Sequence, residues 1–273
     1  MEKEIEFIEG KAREIRRDVI RMILKAGSGH TGGSLGTADI FASLYFDLLN
    51  INAKNYFSDE RDYFFLSNAH ICPVWYATLA NAGFFPKKEL STLRKLGSRL
   101  QGHPHFGELP GIENAGGPLG QGLSIAIGTA MILKQEGKTN QVVVMVGDGE
   151  LDEGQCWEAF MLTKKYCLGN LTIIIDKNNL QLDGATDKIM PHLDLTSKLS
   201  SFGFDVYECD GNNVLDFHTI FRISSRKQVN PKAIIAHTIM GKGVSFMEND
   251  FKWHGKAPSK KEAELALKEL DDV

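Results

Sequence analysis

The chain has 273 residues and a formal net charge of −4, with 42% hydrophobic and 24% charged residues. These values are typical of a globular α/β domain, and the lack of a basic block excludes nucleic acid as an expected partner. No apolar run is long enough for a membrane span, and the charged N-terminus does not resemble a signal peptide. The scattered cysteines predict buried free thiols in a reducing cytoplasm, not disulfides or zinc ligands: Cys72, Cys156, Cys167 and Cys209.

The first half of the chain alternates apolar helical patterns with Gly-rich loops. SGHTGGSLG at 28–36 is predicted as a loop, and 101–122 is a long Gly/Pro loop of a length that is usually functional or disordered. A helix of small and apolar residues follows the second loop, and its N-terminus could receive an anion. The other predicted elements are helices at 3–26, from Thr37 to about Asn50, from 68 onward and at 87–96, and a strand at 61–66.

Residues 142–184 predict two apolar strands around one amphipathic helix, which is a βαβ unit with parallel strands. A Gly-Asp-Gly turn follows the first strand and an Asn-Asn turn follows the second. Asp148 and Asn178 therefore lie just past the carboxyl ends of neighbouring strands, where open α/β sheets bind ligands. Their oxygens suit Mg²⁺ or Ca²⁺ bridged to a phosphate, and the flanking glycines allow close approach. The alternative is that both side chains merely cap turns or helices.

The remaining sequence continues the alternation. Strands are predicted at 205–209 and 233–237, with a helix near 214–227 between them and a charged amphipathic helix from residue 259 to the C-terminus. We therefore predict an α/β fold for residues 1–273, a single domain with a doubly wound, mostly parallel sheet and helices on both faces.

Five of the eight histidines lie in Gly-rich loops: His30, His70, His103, His105 and His254. Neutral imidazoles both donate and accept hydrogen bonds and shuttle protons near pH 7, which suits a polyhydroxylated, carbonyl-bearing substrate. Zinc binding is the rival interpretation. Only His103 and His105 form a close pair, and the intervening proline stiffens that loop, so zinc is not expected.

The Gly-Asp-Gly turn followed about thirty residues later by an Asn-containing turn resembles the fingerprint of thiamine diphosphate enzymes. The segments SGHTGGSLG, RDYFFLSNAH, QGHPHFGELPGIENAGGPLGQG, GDGELDEG, DKNNLQLDG and KWHGKAP also occur in the order of those of transketolase, across residues 28–258. Only the diphosphate-binding, N-terminal part of a transketolase is represented. The chain thus resembles the N-terminal subunit of a split transketolase, with the pyrimidine-binding and C-terminal domains expected on a partner chain.

The resemblance implies a role for specific residues. Mg²⁺ (or Ca²⁺) would bind the side chains of Asp148 and Asn178 and the carbonyl of Leu180. Thiamine diphosphate would contact Gly149, His70, Gly117, Pro118, Leu119 and His254. Substrate binding and proton exchange would fall to His30, His103 and His254. Glu153 would join a proton relay reaching the partner active site, and it counts among both the catalytic and the cofactor-binding residues; its alternative role is pairing with a helix dipole.

The chain departs from the family pattern at three positions. Thr31 follows His30 where proline is usual, which predicts a more flexible loop. Ala69 replaces a glycine beside His70, and His105 stands where an acidic residue is common. These departures leave the acceptor sugar open. The natural substrate pair is open as well, between pentose-phosphate metabolism and a specialised branched sugar or formaldehyde acceptor.

The resemblance also implies an activity, which is transfer of a two-carbon ketol unit from a ketose phosphate to an aldose phosphate. The glutamate that activates the cofactor would come from the partner, so we expect the chain to be inactive alone and to work in the cytoplasm as part of a heterotetramer. Two alternatives remain at this stage. One is a subunit of a 2-oxo acid dehydrogenase or a 1-deoxyxylulose-phosphate synthase, and the other is a non-catalytic cofactor-binding scaffold.

Overall fold

The computed structural model describes residues 2–225 and 229–271. Its centre is a five-stranded sheet in the order β1-β2-β3-β7-β6, and every neighbouring pair is parallel. A short antiparallel hairpin, β4–β5, stands apart from this sheet. The strands are β1 Tyr63–Leu66, β2 Val142–Gly147, β3 Leu171–Lys177, β4 Leu180–Gln181, β5 Gly184–Ala185, β6 Asp205–Asp210 and β7 Lys232–His237.

Helices connect the strands, as parallel pairing requires. Four 3₁₀ turns, Ala69–Ile71, Lys87–Thr92, Gly149–Asp152 and Phe251–Trp253, supplement the α-helices, and a π-helical turn, Leu44–Leu48, extends α3. The α-helices are α1 Glu2–Ala26, α2 Thr31–Gly36, α3 Ala38–Ser43, α4 Cys72–Asn81, α5 Gln121–Gln135, α6 Gly154–Lys165, α7 Thr186–Ile189, α8 Leu195–Ser201, α9 Val214–Ser225 and α10 Lys260–Asp271. None of the described helices is both long and apolar enough to span a bilayer.

The sheet is buried on both faces because successive strand residues point in opposite directions. On β2, Val143 and Met145 belong to one apolar cluster, whereas Val142, Val144 and Val146 belong to the other. Helices α1, α3, α4, α9 and α10 contribute to the first cluster, and α5, α6 and α8 contribute to the second. The prediction of a doubly wound α/β sheet is therefore confirmed, and the carboxyl ends of β2 and β3 lie side by side.

The prediction that residues 28–36 form a loop is wrong for most of the segment, because Thr31–Gly36 is helical and fully buried. Its glycines permit close packing and do not mark a turn. A Cβ on Gly33 would lie 2.7 Å from the Ile71 side chain, and one on Gly36 would lie 2.8 Å from the Ile239 carbonyl oxygen.

Smaller differences concern element boundaries. The helix predicted from Thr37 is α3 with its π-helical extension, the one predicted at 87–96 is only a 3₁₀ turn, and residues 101–120 contain no regular element. Residues 226 and 227 of the predicted helix at 214–227, and the last two residues of the chain, lie outside the described residues.

The cysteine prediction is wrong in one respect. All four thiols are free, but Cys167 is exposed, because it lies in a turn with φ of 49° after α6.

Candidate functional site

A cavity of about 390 Å³ lies where β2 and β3 end. Its walls come from segments far apart in sequence. They are the start of α2, the 3₁₀ turns after β1 and β2, the long loop at 101–120, the β4–β5 hairpin and the loop after β7. This is the edge at which open α/β sheets bind ligands. The lining residues with polar side chains are His30, Asn68, His70, His103, Asp148, Glu150, Asp176, Asn178, Gln181 and His254.

Asp148 is held rigidly in the turn after β2. Only 3% of the residue is exposed, and its Oδ1 accepts a hydrogen bond from Gly149 N (2.9 Å). Its Oδ2 accepts from Asn179 N (2.7 Å) and from Thr186 Oγ1 (3.3 Å). Burial, together with the nearby carboxylate of Asp176, raises the pKa of Asp148 to about 7. A cation bound next to Asp148 would offset both the burial of its charge and the repulsion by Asp176.

Asn178 is oriented by its neighbours at the end of β3. Its Nδ2 donates to Asp176 Oδ2 (3.1 Å), and its Oδ1 accepts from Leu180 N (2.9 Å). Asp176, itself buried, also accepts from Thr238 Oγ1 beyond β7, and burial raises its pKa to about 6. The amide of Asn178 therefore has a fixed orientation in the cavity wall, which Asp148 also lines.

Three carboxylates in this wall are almost completely buried: those of Asp148, Glu150 and Asp176. No basic side chain of the described residues lies within 4 Å of any of them as an ion-pair partner. An uncompensated buried charge is unfavourable, so this wall fits a bound cation. No group of three or more His, Cys, Asp and Glu in residues 2–225 and 229–271 is arranged to hold a metal, so an ion would need amide and carbonyl oxygens such as those of Asn178 and Leu180.

Three imidazoles face one another on the other side of the cavity. The ring centroids of His30 and His70 are 4.9 Å apart, those of His70 and His254 5.1 Å, and those of His30 and His254 5.7 Å. The buried Nδ1 of His30 has no hydrogen-bond partner among the described residues, and the same is true of Asn68 Oδ1. These atoms are available to a polar ligand.

The imidazoles are held neutral. Burial, followed by repulsion from His254, Arg94 and His103, lowers the pKa of His30 to about 4. The pKa of His70 is also well below its ordinary value for the same kind of reason, and burial lowers those of His103 and His254. Neutral rings can each donate and accept a hydrogen bond at neutral pH, as a hydroxyl-rich ligand requires.

Most of the predicted site residues meet in this cavity. Pro118 and Glu153 do not: both are exposed and outside its lining, and Glu153 instead precedes the first residue of α6. His105, for which no site role was predicted, is exposed as well. The predicted residues that line the cavity are His30, His70, His103, Gly117, Leu119, Asp148, Gly149, Asn178, Leu180 and His254.

Sequence reasoning did not identify Asn68, Glu150, Asp176 or Leu182 as lining residues. Glu150 and Asp176 lie within the two motifs at the strand ends, and this proximity was the available signal. Leu182 had none, because only the hairpin β4–β5 brings it over the cavity.

Two of the three departures from the family pattern, Thr31 and Ala69, make specific contacts, whereas His105 is exposed. Thr31 Oγ1 donates to the carbonyl of Lys256 (2.7 Å), so it ties the His30 segment to the segment that carries His254. Ala69 is fully buried, and a Cβ on Gly116 would lie only 2.1 Å from its methyl carbon. The glycine at 116 thus accommodates the alanine at 69.

Comparison with known proteins gives the class to which this fold and site belong. The family model described as "Transketolase, thiamine diphosphate binding domain" matches residues 9–270. The transketolase of Campylobacter jejuni superposes with a TM-score of 0.91 at 29% identity, over 97% of this chain and 43% of that one. The architecture is therefore that of a thiamine diphosphate-binding α/β domain.

Relatives in sequence are more specific. The chain is 41% identical to one subunit of the apulose-4-phosphate transketolase of Actinobacillus succinogenes, over 97% of its length and 96% of the relative's. It is 37% identical to a 6-deoxy-6-sulfo-D-fructose transketolase subunit of Clostridium sp. (strain MSTE9), with the same coverage. It is 35% identical to human transketolase but spans only 43% of that protein. The chain belongs to the transketolase family and corresponds to its N-terminal part, as the sequence motifs predicted.

Proposed function

We propose that this chain is the diphosphate-binding subunit of a two-chain transketolase, with Mg²⁺ or Ca²⁺ held by Asp148, Asn178 and the carbonyl of Leu180. The observation that supports this most is the pairing of Asp148 and Asn178 at adjacent strand ends, in a cavity wall rich in buried carboxylates. A diphosphate carried by the metal would neutralise the ion, and Gly149 lets it approach the backbone.

The other lining residues, together with Pro118 and Glu153 outside the lining, divide between cofactor and substrate. Thiamine diphosphate supplies the carbanion chemistry of ketol transfer when bound, and the protein supplies position and proton transfer. We assign contact with the cofactor to His70, Gly117, Pro118, Leu119, Gly149 and His254. We assign substrate hydroxyls and proton exchange to His30, His103 and His254, whose neutral rings suit both tasks. Glu153, exposed beside the cavity, is assigned to a proton relay completed by a neighbouring subunit.

The test is isothermal titration of the purified chain with thiamine diphosphate in the presence of Mg²⁺. We expect Asp148→Asn to weaken binding by at least about tenfold, because one anionic ligand of the metal is lost while the side-chain shape is kept. The matched control is Asp59→Asn, which removes the same charge at an exposed position. Unchanged affinity in Asp148→Asn would refute the proposed metal site. Absence of binding by the wild type would refute thiamine diphosphate as the cofactor.

Apolar side chains near the cavity mouth support a partner chain. Leu182 lines the cavity and is 62% exposed, and the segment after it exposes Ile189, Met190 and Leu193. Exposed apolar surface next to a site indicates an interface. Two relatives of matching length are named as one lettered subunit of a transketolase, which implies a second subunit for them. We propose that a chain with the pyrimidine-binding domain covers this region and supplies the glutamate that activates the cofactor.

The isolated chain is therefore expected to show no ketol transfer, and mixing with the partner subunit should restore turnover. A coupled assay of either polypeptide alone and of the mixture measures this. Full turnover by the single chain would contradict the two-chain proposal.

The sugar pair follows from the relatives only as a proposal. We expect transfer from a ketose phosphate, or a similar anionic ketose, to an aldose phosphate, since the relatives are named for apulose-4-phosphate and 6-deoxy-6-sulfo-D-fructose. An assay of the reconstituted complex across ketose donors and aldose acceptors identifies the pair. A cytoplasmic location belongs to the same proposal and is tested by cell fractionation.

A further inference from the structure

Glu150 is a buried acid in the cavity wall that the assignments above leave without a role. Only 2% of the residue is exposed. Its Oε1 accepts hydrogen bonds from Ser67 Oγ (2.6 Å) and Gly120 N (2.6 Å), and its Oε2 accepts from Gly147 N (3.0 Å). In the described part of the chain no lysine, arginine or histidine forms an ion pair with it.

The three donors lie on three different segments. Ser67 follows β1, Gly147 ends β2, and Gly120 ends the long loop before α5. Each donor is next to a residue that lines the cavity, respectively Asn68, Asp148 and Leu119. Hydrogen bonds to a carboxylate are stronger than neutral ones, and a buried carboxylate needs them. One side chain therefore joins the end of β1, the Gly-Asp-Gly turn and the loop at 117–120.

We propose that Glu150 is a positioning residue that holds the 117–120 loop in register with the Gly-Asp-Gly turn. Its consequence for the cofactor rests on the proposed function. Tight binding of a ligand that contacts both the turn and the loop, such as thiamine diphosphate, then requires Glu150. Binding of a ligand that contacts only the turn, such as pyrophosphate, does not.

Glu150→Gln separates this role from simple burial. The glutamine has nearly the same volume, but only its amide oxygen can accept, so the Ser67 and Gly120 bonds can remain only if the amide NH₂ faces the Gly147 N–H. The glutamine NH₂ then faces the Gly147 N–H, and two donors cannot form a hydrogen bond. Either the 117–120 loop or the Gly-Asp-Gly turn must therefore move away. The matched control is Glu264→Gln, an exposed position on α10 without a hydrogen bond among the described residues.

The first measurement is amide hydrogen exchange of the full chain without ligand. We expect the amides of Gly117, Leu119, Gly120 and Gln121 to exchange about tenfold faster in Glu150→Gln, the equivalent of about 1.4 kcal/mol in local opening, and to be unchanged in Glu264→Gln. Equal protection in Glu150→Gln and the wild type would overturn the proposal. This measurement decides the loop-holding role even if the wild type binds no thiamine diphosphate, which would refute the proposed function instead.

The second measurement compares two ligands by titration with Mg²⁺. We expect Glu150→Gln to weaken thiamine diphosphate binding by about tenfold and pyrophosphate binding by less than about threefold. Equal weakening of both, in step with a lower melting temperature, would overturn the proposal in favour of a purely structural role. If Glu150→Gln fails to fold, Ser67→Ala serves instead: it removes one donor, and the same ligand selectivity, smaller in size, is required.

Discussion

His30 shows how a single residue's surroundings define its chemistry. In the sequence it is one imidazole in a Gly-rich segment. In the structure it faces His70 and His254, and its Nδ1 has no hydrogen-bond partner in the part of the chain that the structure describes. Because it is largely withdrawn from water and lies near the positive Arg94 and two other imidazoles, its protonation is opposed. This neutral state suits the proton exchange with a substrate hydroxyl that we propose for His30.

The lowered pKa of His30 predicts a pH-dependent stability. The unfolded pKa is near 6.5 and the folded pKa is about 4, so the folded state binds fewer protons between these values. The stabilising contribution is present above pH 6.5 and is lost as the pH falls towards 4. We expect the free energy of unfolding, measured with urea, to fall between pH 7.5 and pH 5. The decrease in the wild type should exceed that in His30→Gln by about 1–2 kcal/mol.

The comparison with His30→Gln is necessary because Asp148 and Asp176 titrate in the same range with the opposite sign. The groups that act on His30 are His254, Arg94 and His103. His105→Gln, an exposed imidazole in the long loop, is the control and should keep the wild-type dependence. If the free energy of unfolding changed with pH equally in the wild type and His30→Gln, His30 would not be buried in its neutral form.

At the scale of elements, the site depends on close contact between the end of β1 and the long loop. Gly116 packs on Ala69, and Gly122 packs on Ser67, where a Cβ would lie 2.6 Å from the Ser67 Cα. Gly116 N also donates to the Pro104 carbonyl (2.9 Å), which joins two parts of the loop. A segment with no regular secondary structure is thereby fixed against the sheet, and it presents His103, Gly117 and Leu119 to the cavity.

Gly116→Ala should therefore destabilise the fold by about 1–3 kcal/mol, because the new methyl group overlaps Ala69 and meets Pro104 at 3.1 Å. Thermal or urea unfolding measures this. The double variant Ala69→Gly/Gly116→Ala should recover part of the loss. Gly128→Ala is the control: its added methyl meets nothing within 4 Å on α5, and helix propensity favours it. A stable Gly116→Ala, or no recovery in the double variant, would contradict this packing.

At the scale of the whole molecule, α5, α6 and the residue after α6 carry a second set of exposed apolar side chains: Ile125, Ile132, Met161, Leu162 and Tyr166. The two helices pack against each other, and their hydrophobic side chains lie on the outward as well as the inward side. A contiguous set of exposed apolar side chains usually marks an interaction surface. We propose that this surface binds a second copy of the chain, which together with two partner chains would give the heterotetramer expected from the sequence.

Self-association of the chain is the corresponding prediction. Ile132→Glu and Met161→Glu should each shift the chain toward the monomer in sedimentation velocity, because burying a carboxylate in an apolar interface is unfavourable. The matched control is Leu265→Glu on α10, which is equally exposed but belongs to neither apolar set. A wild-type chain that is monomeric at all concentrations, or a Leu265→Glu variant with the same effect, would refute this interface.

The sequence by itself determined the sheet and the family. Short β-branched strands with a helix between them leave few alternatives to parallel pairing, and the motifs at the strand ends identified Asp148 and Asn178 as neighbours. These are local features whose geometry is fixed by the direction of two adjacent strands. The same locality explains why Glu150 and Asp176 went unassigned, since nothing in a motif shows which of its acids faces inward.

Only the tertiary structure decided which loop residues meet. His30, His70 and His254 come together from three distant segments, and their neutral state follows from mutual burial that no spacing encodes. The helical form of TGGSLG likewise depends on side chains from Ile71 and Met240 packing onto its glycines, which overrides their weak helix propensity. Packing between distant segments is a property of the folded chain, and for that reason it appears only in three dimensions.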